Sequence, residues 1–206
     1  MLKIIGRVTS GNVMKPLWLA EEIGLEYEQI DLGGSFGGND DPLYRAKNPM
    51  GLVPTIDDDG FILWESNTIT RYLAAKHAPG TLCPADPQTR AMAETWMDWK
   101  LTAINPVMFP IFWGLVRTKP EDRDQGAIDA AIERGITLWG ILDKHLANRD
   151  YIAGDALTIG DIPLGPQAFR WFELVKDRPA MPNLEAWYAR LRARPAYKKI
   201  CMNPLV

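Results

Sequence analysis

The chain has 206 residues, a length that fits one or two domains. Hydrophobic residues make up 47% and charged residues 24% of the sequence, which is ordinary globular usage and excludes an intrinsically disordered protein. A net charge of −3 leaves no polybasic face for nucleic acid, and no apolar segment is long enough to cross a membrane. Two cysteines and two distant histidines argue against disulfides and a metal site. We therefore expect a cytoplasmic protein with small-molecule partners.

The first 80 residues alternate between strand and helix patterns. The predicted elements are strands at 2–7 and 27–32, helices at 14–23, 42–47 and 66–76, and strands at 53–57 and 61–64. The last two strands flank Asp58-Asp59-Gly60, and an Asp-Gly pair between two β-rich segments is typical of a hairpin. The pattern predicts a βαβ unit followed by a ββα unit. A glycine-rich segment, 33–38, lies between the units as a loop that could act as a lid.

The remainder of the chain shows helical periodicity and no convincing strand. The predicted helices cover 89–117, 122–146, 158–175 and 184–194. Pro106 and Pro110 should bend or split the first of them, and Asp161, three residues after Thr158, has nearly the spacing of a capping box. We predict a first domain at 1–79, a proline-rich linker at 80–88 and an all-helical domain at 89–206.

A polar turn that contains Thr9, Ser10 and Asn12 follows the first predicted strand. Ser10 and Asn12 can cap the next helix, because the first N–H groups of a helix need acceptors. The same helix end also favours a thiolate over its thiol, and a hydroxyl or amide that donates to sulfur adds to this effect. Since the turn has no cysteine, such a thiol has to come with a ligand.

Two further motifs have a structural and a binding interpretation. Val53-Pro54 is either a simple turn into a strand or, with a cis peptide bond, an edge at which an extended peptide can pair with the Val53 backbone. Ser66, at the start of a helix, either caps it or leaves free N–H groups for a ligand carboxylate. Glu65 beside it is either a solvated acid or the partner of an ammonium group.

These three motifs have the spacing of the thioredoxin-type domain of cytosolic glutathione transferases, which residues 1–80 resemble. The segments 151–161 and 182–197 are similar to the folding motif and the closing helix of the same family. The resemblance implies an α/β thioredoxin-like amino-terminal domain followed by an all-α carboxy-terminal domain. It also implies glutathione as co-substrate, a role in detoxification and a homodimer, with no metal, nucleic acid or membrane partner.

The resemblance assigns the sulfur of glutathione to the polar turn. Ser10 falls where the family often has its catalytic hydroxyl, and Asn12 falls where some bacterial, Nu-like members have a sulfur-binding asparagine. Thr9 is the third candidate. No tyrosine occupies this region, which argues against the alpha, mu and pi classes.

The same resemblance implies the other glutathione contacts. Val53 and a cis Pro54 would bind the tripeptide backbone, and Glu65 and Ser66 would bind its γ-glutamyl end. Leu52 stands where many members have a polar contact for the glycine carboxylate, so that end of the ligand is not assigned.

Aromatic residues at helical spacing suggest where an electrophile would bind. Trp96, Trp99, Phe109 and Trp113 lie on or near the first long helix, and such a stripe more often belongs to a core. Phe109 and Trp113, which are close to the two prolines, are the better candidates for an apolar wall facing the cleft between domains.

We predict a glutathione transferase that activates the glutathione thiolate for attack on an apolar electrophile. One alternative is a glutathione-dependent disulfide or peroxide reductase that uses the same pocket. The other is a non-catalytic binding module that has kept the fold.

Overall fold

A four-stranded mixed sheet forms the amino-terminal part of the chain, in a computed structural model that describes all 206 residues. The strands are β1 (Leu2–Ile5), β2 (Tyr27–Ile30), β3 (Thr55–Asp58) and β4 (Phe61–Trp64). The sheet order is β2-β1-β3-β4, with β1 parallel to β2 and every other pair antiparallel. Its helices are α1 (Met14–Glu22), the short α2 (Pro42–Arg45) and α3 (Ser66–His77). The predicted βαβ and ββα units are confirmed.

The hairpin between β3 and β4 turns at Asp59 and Gly60. Both residues have positive φ angles, 52° and 93°, as a two-residue turn between twisted strands requires. Ile4 on β1 lies opposite Ile56 on β3, and both are fully buried. The Asp-Gly signal therefore placed this hairpin correctly.

Six helices follow. They are α4 (Pro87–Trp99), α5 (Asn105–Phe112), α6 (Gln125–His145), α7 (Gly165–Leu174), α8 (Pro182–Ala193) and α9 (Pro195–Cys201). The predicted helix 89–117 is divided, but not by a sharp break at each proline. Pro106 lies in the first turn of α5 and Pro110 lies inside it, and π-helical turns at 100–104 and 113–117 flank α5 on both sides.

The start of one predicted helix was wrong, and one helix was not predicted. The helix expected from residue 158 begins only at Gly165, because the carboxylate of Asp161 accepts a hydrogen bond from the N–H of Thr158 and holds 158–164 as turns. The unpredicted helix is α9, which directly follows α8. It begins at Pro195, because proline is well tolerated at the first position of a helix.

One hydrophobic core runs through both parts of the chain. Trp18 on α1 packs edge-to-face on Tyr197 of α9, with ring centroids 5.0 Å apart. Arg194 pairs with Glu22 of α1 and also donates to the Tyr151 hydroxyl. These contacts fix α1 against the helices of the second part of the chain. No helix has the length and apolar character needed to span a membrane.

Candidate active site

The turn between β1 and α1 presents unpaired donors to a cleft. The amino-terminal end of α1 has no side-chain cap, so the interpretation of Ser10 and Asn12 as helix caps is wrong. The side chains of Thr9, Ser10 and Asn12 make no hydrogen bond within the chain, and all three line the cleft. The backbone N–H groups of Gly11 and Asn12 also lack an acceptor. An anion placed here would meet several donors at the positive end of a helix.

The peptide bond between Val53 and Pro54 is cis, as the family resemblance implies. Neither the N–H nor the C=O of Val53 bonds to another group of the chain. The carbonyl of Leu52, in contrast, accepts bonds from the Tyr44 hydroxyl at 2.5 Å and the Asn48 amide at 2.7 Å. The segment is therefore held firmly on one side of Val53, while the backbone groups of Val53 are free to pair with a peptide.

Glu65 and Ser66 join β4 to α3 in an unusual backbone conformation. Glu65 has φ 72°, which is rare for a residue other than glycine and is typical of functional sites. The amino-terminal end of α3 has no side-chain cap, and the backbone N–H groups of Ser66 and Asn67 have no acceptor in the chain. This second helix end can therefore also receive an anion.

Lys15 connects the two uncapped helix ends. It lies on the first turn of α1, is fully buried, and donates to Ser66 Oγ and Asn67 Oδ1, each at 2.9 Å. The amide of Asn67 in turn donates to the carbonyl of Met97 at 2.9 Å. A single side chain thus fixes the start of α3 relative to the start of α1. Sequence analysis missed Lys15, although a single lysine within the otherwise apolar segment 13–20 indicates a buried charge.

A second lysine, Lys100, is buried beside Lys15 and has no hydrogen-bond partner. Burial lowers the pKa of Lys100 to about 8, and the charge of Arg170 adds to this effect. Burial, together with the charge of Lys100, lowers the pKa of Lys15 well below its ordinary value. Both pKa shifts favour the neutral amine, because the two lysines are buried side by side with no acid among their hydrogen-bond partners.

We expect the variant Lys100→Met to be more stable than the parent chain at pH 7, by about 2 kcal/mol. The folded pKa of about 8 is below the ordinary 10.5, so between these values the unfolded chain holds more protons than the folded chain. The free energy of unfolding of the parent chain therefore rises with pH through this window, and the advantage of the variant shrinks. Urea unfolding at several pH values measures this, with the exposed Lys144→Met as control. If the difference in free energy of unfolding between Lys100→Met and the parent chain stayed constant up to about pH 10, the lowered pKa of Lys100 would not be its cause.

The cleft between the β1–α1 turn and α5 has a volume of about 430 Å³. Phe109 and Trp113 form one wall, stacked with centroids 5.4 Å apart and with 64% and 54% of their surface exposed. Trp96 is buried and packs against Trp99 and His145, so it belongs to the core. Phe109 and Trp113 line the cleft, whereas Trp96 and Trp99 do not.

Three arginines that sequence analysis missed also line this cleft. Arg170 lies over the ring of Phe112 at 4.1 Å and donates to the Thr9 carbonyl at 3.4 Å. The Arg170 guanidinium also lies close to the backbone of Gly11. Any other residue at position 11 would have a Cβ atom only 3.1 Å from the guanidinium, so the absence of a side chain at Gly11 allows this approach. Arg7 and Arg117 line the same cleft. Burial, followed by the charges of these two arginines, lowers the pKa of Arg170 to about 10.

Comparison with known proteins identifies the family of this chain. The family model of the glutathione S-transferase N-terminal domain matches residues 2–75, and that of the C-terminal domain matches residues 104–195. The chain belongs to the glutathione transferase family. The predicted family, fold class and enzyme type are thereby confirmed.

Relatives of this glutathione transferase match along its whole length. It is 44% identical to glutathione S-transferase GstB of Escherichia coli, with complete coverage of both chains. It is 33% identical to glutathione S-transferase 3 of Zea mays, over 96% of this chain and 92% of the relative. A solved theta-class glutathione S-transferase from Xanthomonas axonopodis pv. citri, with glutathione bound, is 48% identical and superimposes with a TM-score of 0.95, covering 100% and 99% of the two chains.

Proposed function

We propose that this enzyme holds glutathione with its sulfur, as a thiolate, at the amino-terminal end of α1. The observation that carries the proposal is the uncapped end of α1, where Ser10 and Asn12 have no partner within the chain. The helix dipole and hydrogen bonds from these two side chains stabilise the thiolate relative to the thiol. Lowering a thiol pKa from about 8.5 by ~2 units needs ~2.7 kcal/mol, which one helix end and two hydrogen bonds can supply. Thr9 is the third candidate for this contact.

The rest of the tripeptide extends across the sheet edge toward α3. The free N–H and C=O of Val53, beside cis Pro54, pair with its backbone as a neighbouring strand would. The free N–H groups at Ser66 receive the γ-glutamyl carboxylate, and Glu65 accepts from the ammonium group. Lys15 keeps the two helix ends at the separation that this ligand spans.

The electrophile occupies the cleft next to the sulfur and rests its apolar part on Phe109 and Trp113. The thiol proton leaves to solvent before attack, and the sulfur then bonds directly to the electrophile. Catalysis comes from a larger thiolate fraction and from proximity, without a covalent enzyme intermediate.

We further propose the domain division 1–79, 80–88 and 89–206, a homodimer and a cytoplasmic location. The division is supported by the sheet of the first part and the helical second part. The homodimer and the location rest on the family to which the chain belongs.

Calorimetry with glutathione, followed by two assays, tests the proposed function. We expect the full chain to bind glutathione and to conjugate it to a chlorodinitrobenzene faster than it reduces hydroxyethyl disulfide, each rate being divided by its uncatalysed rate. Faster disulfide reduction would favour the reductase. No glutathione binding would favour a non-catalytic module.

A further inference from the structure

The charge in the cleft is not balanced by any acid of the chain. Of the residues that line it, three are the arginines Arg7, Arg117 and Arg170, and none is an aspartate or glutamate. The arginines that form ion pairs with acids are Arg45, Arg71, Arg90, Arg190 and Arg194, and the three arginines of the cleft are not among them. Positive groups that face one another without a counter-charge are unfavourable unless a ligand supplies the anion.

Two of the three arginines, Arg170 and Arg7, are held in place by neighbouring groups of the chain, whereas Arg117 is exposed. Arg170 is fixed between Phe112 and the backbone at Gly11. The side chain of Arg7 packs against the glycine-rich segment 33–38. It lies so close to Gly34 that a Cβ atom at this position would be 3.0 Å from the arginine side chain. Arg7 and Arg117 line the same cleft, and burial followed by the charge of Arg117 lowers the pKa of Arg7. A built, mutually repelling set of donors indicates binding of an anion.

One thiolate does not account for this charge. Arg170 contacts the β1–α1 turn itself and is the arginine nearest to the proposed sulfur position. Arg117 is exposed at the far end of the π-helical turn 113–117, which also carries Trp113 of the aromatic wall. Even if Arg170 neutralises the thiolate and Arg7 neutralises the glycine carboxylate of glutathione, Arg117 still has no anion and lies beside an apolar surface. The substrate that fits both is an aromatic ring with an anionic substituent.

We propose that the second substrate of this enzyme is an aromatic electrophile that carries a carboxylate. This inference rests on the proposed function and names its substrate class. The ring stacks on Phe109 and Trp113, and the carboxylate is bound by Arg117 with Arg7 beside it. In the reaction, the thiolate sulfur forms a bond to the ring carbon that carries the leaving group. A halide leaves with the bonding electron pair, and nothing is oxidised or reduced.

Two matched substrates test the proposal: para-chloro-meta-nitrobenzoate and the corresponding benzamide, which share the leaving group and the nitro group but differ in charge. We expect kcat/KM, divided by the uncatalysed rate with glutathione at the same pH, to be about tenfold higher for the benzoate. Raising the ionic strength from about 0.02 to about 0.5 M should reduce this preference. Equal values for the two substrates would overturn the inference. Conjugation of neither would instead contradict the proposed function.

Variants of Arg117 show whether the preference arises at this residue. Because Arg117 is exposed, Arg117→Gln should fold normally, and it should lower kcat/KM about tenfold for the benzoate and less than twofold for the benzamide. Arg117→Lys should keep most of the preference for the benzoate. The control Arg134→Gln, which replaces an exposed arginine on α6, should keep all of this preference. An equal loss for both substrates in Arg117→Gln would mean that the arginine acts on the sulfur, and would overturn the proposal.

Discussion

The variant Asp161→Ala is expected to unfold with a free energy about 4 kcal/mol below that of the parent chain. Asp161 is fully buried between α6 and α7. Its Oδ1 accepts from the Ile152 N–H at 3.0 Å and from the indole N–H of Trp187 at 2.8 Å. Its Oδ2 accepts from the N–H of Thr158 at 2.9 Å and from the Thr158 hydroxyl at 3.3 Å. Alanine leaves these buried donors without an acceptor, and each such donor costs about 1–3 kcal/mol.

Urea unfolding at neutral pH measures this loss. Burial raises the pKa of Asp161 to about 6, against the effect of its hydrogen bonds, so the carboxylate is still ionised at pH 7. Asp161→Asn keeps the size and one oxygen acceptor, and should therefore lose about half as much stability. Asp155→Ala is the matched control, because Asp155 lies exposed in the same loop. If Asp155→Ala and Asp161→Ala unfold at the same urea concentration, this account of Asp161 is wrong.

The motifs that sequence analysis located are local, and this explains why they could be located. Ser10, Val53, Glu65 and Ser66 each lie where one element ends and the next begins, and capping and turn preferences act over only a few residues. The capping interpretation was nevertheless wrong for Ser10. Sequence shows that a residue can satisfy a helix end, but only the structure shows that the side chain remains free.

The residues that were missed come together from distant parts of the chain. Arg7 follows β1, Arg117 follows α5 and Arg170 lies in α7, and no local pattern relates them. Arg170 did leave a signal, since it is a charged residue among the buried neighbours Phe169 and Trp171. Charged residues are rarely found in such a buried segment without an acidic partner, and Arg170, which has none, is therefore a candidate for binding an anionic ligand.

Replacement of Ser10 and Asn12 should have the largest effect on activity. We expect Ser10→Ala and Asn12→Ala each to lower the conjugation rate about tenfold at about pH 6.5, and the double variant to lower it about a hundredfold. Both side chains line the cleft and are free of partners within the chain, so each can donate to the sulfur. Their removal raises the pKa of the bound thiol toward about 8.5, and less thiolate is then present below that pH.

The pH dependence separates this effect from a change in binding. The acidic limb of the rate profile should move to higher pH in each variant, and the deficit should shrink by about pH 9, where the thiol ionises without help. The ultraviolet absorbance of the bound thiolate gives the same pKa independently. Thr95→Ala and Asn148→Ala, at exposed positions away from the cleft, are the matched controls. A double variant with the rate and profile of the parent chain would contradict the roles of Ser10 and Asn12, because the helix dipole alone would then account for all of the activation.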